Sequence, residues 1–444
     1  MKDLTKGKIS KNLFFYSIPI ILSYLLARTH TMIDKIMVGQ LIGENGLSAI
    51  GSTSSFITVV SSLFWSFGTG IALFIAYNIK RAAPKDLARQ VKSGTLLVLG
   101  FGAVLSVLAI VLYKPIFSFL SVGDKFYDEA RLYYIVIFIG QAFLGLNCFS
   151  KEIFYYFGKP SNAFKISIID CVGNIVLNYV MIKIFGLGVL GAAIATIVVL
   201  FISGSCNLCL ISKEIKSICS EKSSVKLSKA ELIHIIKLSI PCILQQAVLY
   251  LAAFIIQPTV NRLDGAAAYS VTTEIYNVCT IFFYGCSKAV GVYCTQCYGK
   301  KNSTILKGIL TGFVESTLLS CIFIVPMMIF PNFTANLFLK ESGTLTASLV
   351  VRYINICFPF IAFAILNNVM HNAFRGLLVP KFALFTTSIF MIAQVVSVLL
   401  LAPKFQMDGV YFGNIISWAV ESLACILLLV YILRKGKAVK QIKN

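Results

Sequence analysis

Acidic and amide side chains inside otherwise apolar runs are where this sequence could do chemistry. Asp34 stands in the first such run. An acid near the centre of a membrane helix costs about 2.5–3.5 kcal/mol, so it marks a functional position by default. Asp170, Asn174 and Asn178 follow at i, i+4 and i+8, which on a helix is one face. Thr196 lies in the next apolar run. Asp34, Asn174, Asn178 and Thr196 would together offer one carboxylate and several neutral oxygens, a set able to hold a proton or Na⁺. His30, four residues before Asp34, is placed to hydrogen-bond it and reads as a structural histidine.

The second half of the chain carries its own ionisable groups. Glu274 and Lys288 are 14 residues apart, about 21 Å along a helix and too far for direct contact. Glu315 and Glu421 are further acids in apolar runs. Asp170, Gln245, Glu274, Tyr276 and Gln296 are the side chains expected to line a substrate cleft, where an aromatic ring could add a cation–π contact. The 13 cysteines, including the spacings Cys206/Cys209 and Cys294/Cys297, lie mostly in apolar runs. They read as small packing residues rather than metal ligands or redox pairs. No cofactor is expected, and no G-x-x-x-x-G-K-[ST] loop for nucleotide is present in the sequence. The chain is not expected to be an enzyme.

The elements that must position these residues follow from composition. Hydrophobic residues make up 58% of the 444 and charged residues 13%, against about 25% charged in a soluble domain. With a mean hydropathy of +0.85, this describes an all-α polytopic membrane protein. Twelve apolar runs are predicted as spanning helices: 13–42, 48–79, 93–115, 127–151, 161–184, 187–212, 230–262, 266–299, 304–331, 345–374, 379–403 and 408–434. Pro241, Pro258, Pro326 and Pro359 offer places to bend. The net charge of +21 gathers between the runs, which fits the positive-inside rule better than nucleic-acid binding. Counting cations places both termini in the cytoplasm, with the first run kept as an uncleaved helix.

The chain repeats itself. Ser17-Ile18-Pro19-Ile20-Ile21-Leu22 matches Ser239-Ile240-Pro241-Cys242-Ile243-Leu244 at five of six positions, half the chain length further on. The expected plan is an N-lobe of six helices over 1–212, a cytoplasmic linker at 213–229, a C-lobe of six over 230–434 and a basic cytoplasmic tail at 435–444. An even number of helices per half predicts a pseudo-twofold axis along the membrane normal, and such halves suggest alternating access.

These residues carry a resemblance. The stretches TMIDKIMVGQLIGENGLSAIGSTSS from Thr31, GNIVLNYVMIKIFGLGVLGAAIAT from Gly173, IPCILQQ…VNRL from Ile240 and FRGLLVP from Phe374 are similar to the multidrug and toxic compound extrusion (MATE) family over nearly the whole chain. The resemblance implies twelve helices in two lobes and places the family's coupling carboxylate on Asp34, with polar partners on Asn174, Asn178 and Thr196. It implies a monomeric, cation-coupled antiporter of the plasma membrane that exports small organic compounds, cationic or amphipathic. Its partners would be that substrate, a proton or sodium ion and the lipid bilayer, with no nucleic acid and no bound metal beyond such a sodium. The alternative is a lipid-linked saccharide flippase of the same superfamily, for which the in-membrane cations Arg28, Lys35 and Lys288 are few. Asn178 stands where many relatives have Asp, which favours a proton over Na⁺. Leu249 and Ala364 stand where one branch has acids, and Tyr77 where many relatives have Gln.

Overall fold

The computed structural model describes residues 3–79, 81–120, 122–123, 127–219, 226–339 and 345–434. Residues 220–225 of the expected linker and the basic tail 435–444 lie outside them. The described residues fold into helices joined by short turns: α1 Ile9–Leu41, α2 Glu44–Asn78, α3 Pro84–Val111, α4 Tyr113–Leu120, α5 Tyr127–Tyr156, α6 Pro160–Asn178, α7 Gly188–Ile218 and α8 Lys229–Arg262. Then come α9 Ala266–Gln296, α10 Asn302–Ile329, α11 Pro331–Phe338, α12 Leu345–Cys357, α13 Ile361–Gly376, α14 Pro380–Phe405 and α15 Met407–Arg434. Among the described residues, twelve helical stretches are long and apolar enough to cross a membrane. The eight-residue α4 and α11 are too short to do so.

Local sequence explains the helix ends. Pro84, Pro160, Pro331 and Pro380 open α3, α6, α11 and α14, where a missing N–H leaves no hydrogen bond unmade. Pro359 sits in a single 3₁₀ turn, Phe358–Phe360, that divides the tenth span into α12 and α13. A second irregularity has no proline behind it: α6 runs into a π turn, Tyr179–Ile184, closed by the bond from Phe185 N to Val180 O at 3.0 Å. Gly186 and Gly188 follow at φ 66° and 55° and turn the chain into α7.

Helix faces are sorted for lipid rather than water. On α3 the buried positions include Gly94, Thr95, Gly102 and Ser106, while Leu96, Val104, Val107 and Val111 are exposed. Small and weakly polar residues let helices approach closely, and the bulky apolar ones remain for lipid tails.

The helices form two compact units. Unit 1 is built from Leu22–Ile243, and unit 2 from Asp3–Ile21 with the residues from Leu244 onward. Both divisions fall at the same step of the repeat, Ile21/Leu22 and Ile243/Leu244, so α1 and α8 each contribute to both units. In unit 1, α5 packs against α2, α3 and α7; in unit 2, α9 packs on α10 and α13, and α14 runs along α15.

Each unit fastens its borrowed helix start. In unit 1, Arg89 of α3 grips Glu231 of α8 through two bonds of 2.8 Å, and Gln90 adds a third. Such fork-on-fork pairs fix orientation as well as position. Ser228 and Glu231 cap α8 reciprocally. A Cβ at Gly70 of α2 would overlap Ser239 of α8. In unit 2, Gln296 accepts the Leu4 N–H at 2.8 Å, and a Cβ at Gly285 of α9 would overlap Ile21 of α1.

Candidate functional site

In unit 1, four residues singled out from the sequence lie in one chain of contacts. Asn178 Nδ2 donates to Asp34 Oδ1 at 2.6 Å and to Asn174 Oδ1 at 2.7 Å. Asn174 Nδ2 donates to Thr196 Oγ1 at 3.4 Å, and Thr196 donates to the Ala192 carbonyl at 3.0 Å. α1, α6 and α7 each supply a part. Asn178 is the last residue of α6 before the π turn. Widened turns of this kind re-aim the side chains beside them.

The direction of the chain is set at one end. A carboxylate oxygen only accepts, so Asn178 must turn its amide N–H toward Asp34. Its Oδ1 is left buried without a hydrogen-bond partner. Asn174 and Asn178 are each 1% exposed, while the Asp34 side chain is 27% exposed. His30 Nε2 lies 3.2 Å from Asp34 Oδ2, yet its N–H is not aligned on that oxygen as a hydrogen bond.

The side chains expected to line a cleft are dispersed. Asp170 shares the face of Asn174 and Asn178 but is taken up by Lys151 of α5, 3.0 Å from its Oδ2. Glu274 is exposed. Tyr276 stacks on Trp418, ring centroids 5.8 Å apart. Gln296 is occupied by the Leu4 amide. Leu249 is exposed and Ala364 buried.

Gln245 and Glu421, both noted in the sequence, belong to a polar group in unit 2 whose other members, His371, Arg375 and Thr386, were not singled out. His371 of α13 sits 3.0 Å from Glu421 of α15. It also meets Gln245 of α8 at 3.2 Å and Thr386 of α14 at 3.1 Å. Arg375, one turn beyond His371, donates to Gln245 at 2.6 Å. The signal available for the missed members was His371 four residues before Arg375 in one apolar run.

Twelve helices long and apolar enough to cross a membrane, among the described residues, define the class as a polytopic membrane protein. Comparison with known proteins agrees. The MatE family model matches residues 19–180 and 241–400, segments that begin on Pro19 and Pro241, the paired prolines of the repeat. The chain is 22% identical over 355 residues to the "Probable multidrug resistance protein YoeA" of Bacillus subtilis, covering 77% of this chain and 76% of that one. It is 24% identical to the "Probable multidrug resistance protein YpnP" of the same organism over 195 residues, 44% of each chain. It is also 23% identical to the "FAD transporter" of Shewanella oneidensis over 78% of each. Among solved structures, an "outward-facing conformation of a multidrug resistance MATE family transporter of the MOP superfamily" superposes with a TM-score of 0.89 at 18% identity, covering 98% of both chains. The "MATE in the bent conformation" gives 0.86 at 19% identity over the same share. The chain belongs to the MatE family of multidrug and toxic compound extrusion transporters.

Proposed function

We propose that this transporter is a proton-coupled antiporter that exports small organic compounds, cationic or amphipathic, across the plasma membrane, with Asp34 as the coupling carboxylate. The observation that carries the reading is the direction of the Asp34–Asn178–Asn174–Thr196 chain. A sodium site needs several oxygens converging on one point. Here Asn178 presents its N–H to the acid, and the Asn174 oxygen is already accepting from Asn178. A lone carboxylate so arranged can take and lose a proton at Oδ2 without reversing the amides. Proton binding neutralises Asp34 and removes the acceptor charge that orders Asn178, which gives the bound ion a way to bias the packing of α1 against α6.

The test is efflux of a fluorescent organic cation from proteoliposomes under a pH gradient without Na⁺, then under a Na⁺ gradient at equal pH. Transport under the pH gradient alone is expected. Transport only under the Na⁺ gradient would overturn proton coupling.

A further inference from the structure

Unit 2 buries a second pair of titratable side chains that the function proposed above does not use. His371 Nε2 faces three oxygens: Glu421 Oε1 at 3.0 Å, Thr386 Oγ1 at 3.1 Å and Thr387 Oγ1 at 3.4 Å. Its other nitrogen, Nδ1, faces Gln245 Nε2 at 3.2 Å. Glu421 is 4% exposed. Its Oε1 has no aligned hydrogen bond despite the nearby ring nitrogen.

The ring's tautomer follows from a group two contacts away. A guanidinium only donates. Arg375 Nη2 bonds Gln245 Oε1 at 2.6 Å, which holds the amide oxygen on the arginine side. The amide N–H₂ must then face His371 Nδ1 and Thr387 Oγ1, the latter at 2.9 Å. Nδ1 therefore accepts, and the ring proton sits on Nε2. A further proton at Nδ1 would oppose the amide N–H₂, and turning the amide would aim that group at Arg375. The open position is the unmet oxygen of Glu421.

We infer that His371 and Glu421 form a second proton-binding site, in which Glu421 takes the proton and the Arg375–Gln245 contact holds His371 as the neutral Nε2–H ring. The ligand is a proton from the aqueous phase; adding it turns the carboxylate into a carboxylic acid and breaks no other bond. The surroundings supply hydroxyl dipoles beside the guanidinium of Arg375. α14 brings the two threonine hydroxyls, and Thr386 donates its own proton to the Ala383 carbonyl at 3.1 Å, leaving its lone pairs to accept. Tyr276 of α9 and Cys425 of α15 lie within electrostatic reach of Glu421. Two other ionisable groups on the neighbouring helices are engaged elsewhere. Glu315 of α10 lies with Ser10 and Cys286, and Arg352 of α12 pairs with Asp408. Lys288, a buried cation of α9, stands one turn before Gly291, which packs against Asn372 of α13 beside His371, so α9 brings a charge to the neighbourhood of the pair.

The chain has three histidines, so ¹⁵N-histidine NMR of the whole protein in detergent can be assigned with His30→Gln and His234→Gln. The His371 ring is expected as Nε2–H with Nδ1 bare. An Nδ1–H ring, or an imidazolium persisting above neutral pH, would overturn the assignment. Infrared titration of the same protein should show a protonated-carboxyl C=O band that is lost in Glu421→Gln and kept in Asp34→Asn. A carboxyl band set unchanged by Glu421→Gln would sink the proposal. Should Glu421→Gln not fold, Gln245→Glu is the second variant. It gives Nδ1 an acceptor and should place a proton on Nδ1; a ring still bare at Nδ1 there would equally overturn it. The spectroscopic arms require no transport, so they stand or fall separately from the antiport reading.

Discussion

Lys151 in unit 1 and His371 in unit 2 occupy equivalent places. Each comes four residues after an asparagine, Asn147 or Asn367, and nine before the proline that opens the next helix, Pro160 or Pro380. Both asparagines tie their helix to another of their unit, α7 or α15. Asn147 bonds Ser203 and Asn207, while Asn367 bonds the Trp418 carbonyl and Ser422. Both lysine and histidine then meet a carboxylate at 3.0 Å. The acids come from different helices, Asp170 from α6 and Glu421 from α15. One pair is an ammonium with an acid; the other contains an imidazole, whose ordinary range straddles neutrality. The converse difference lies in the first helix of each repeat. Laying Ser239 on Ser17 makes Ile256 the counterpart of Asp34, and Ile256 is 2% exposed in the apolar core. Repeat geometry thus decides where a polar side chain can be buried, and residue type decides what it does there.

The largest effect expected is on that asymmetry itself. Asp34→Asn keeps shape and hydrogen bonding but removes the titratable charge. Gradient-driven efflux from proteoliposomes should fall to the level of empty vesicles, with the melting temperature in detergent unchanged. Retained efflux would mean that the ion is coupled outside unit 1.

Next in size is the Lys151–Asp170 pair. Lys151→Met strands the Asp170 carboxylate. The side chains are 16% and 21% exposed, so the loss should be about 2 kcal/mol, below the 3–5 of a fully buried pair. Thermal unfolding in detergent measures it, and the double variant Lys151→Met/Asp170→Leu should recover most of it. A loss under about 0.5 kcal/mol would class the pair with ordinary surface ion pairs.

Asn178→Asp should act more gently, raising the Na⁺ dependence of efflux several-fold, because a second carboxylate beside Asp34 strengthens the field on any cation between them. An unchanged ion preference would place the coupling ion away from this chain of contacts.

The smallest effect separates two copies of one turn. Gly158 and Leu378 both take positive φ, 73° and 62°. The turns close identically, with Lys159 N on Phe154 O at 2.8 Å and Val379 N on Phe374 O at 2.9 Å. Glycine adopts this conformation freely, whereas in other residues it costs about 1–2 kcal/mol. Gly158→Ala should lower stability by about 1 kcal/mol in the same unfolding assay; no change would mean that the turn in unit 1 relaxes where that in unit 2 does not.

Much of this architecture was legible because a bilayer imposes it. Apolar runs of spanning length leave helices as the simplest reading, and the hexapeptide at Ser17 and Ser239 announced the repeat. The i, i+4, i+8 spacing put Asn174 and Asn178 on one face, and only their meeting with Asp34 needed the packing of α1 on α6. The π turn after Asn178 was not legible, since Tyr179–Ile184 carries no residue that breaks an α-helix. Lys151 drew no notice because its partner stands in the following helix, across a turn. His371 was missed for a similar reason. A single histidine in an apolar run resembles packing until the acid of α15, two helices further on, is brought beside it. Gln245 was noticed as polar, but its bond to Arg375, which orients the ring, depends on three helices converging.

The sharing of α1 and α8 between units bears on how the protein is made. Residues 3–21 leave the ribosome well before the rest of unit 2, which begins at Leu244. At a synthesis rate of about 5–20 residues per second, the wait is on the order of tens of seconds. Unit 1 is likewise incomplete until Ile243 has been added. Neither half of the polypeptide, translated alone, contains all of either unit. A stop at the midpoint would leave the Gly285 crossing unmade and Arg89 without Glu231. Biogenesis therefore has to hold residues 3–21 in reserve, without the rest of their unit, until the second half arrives.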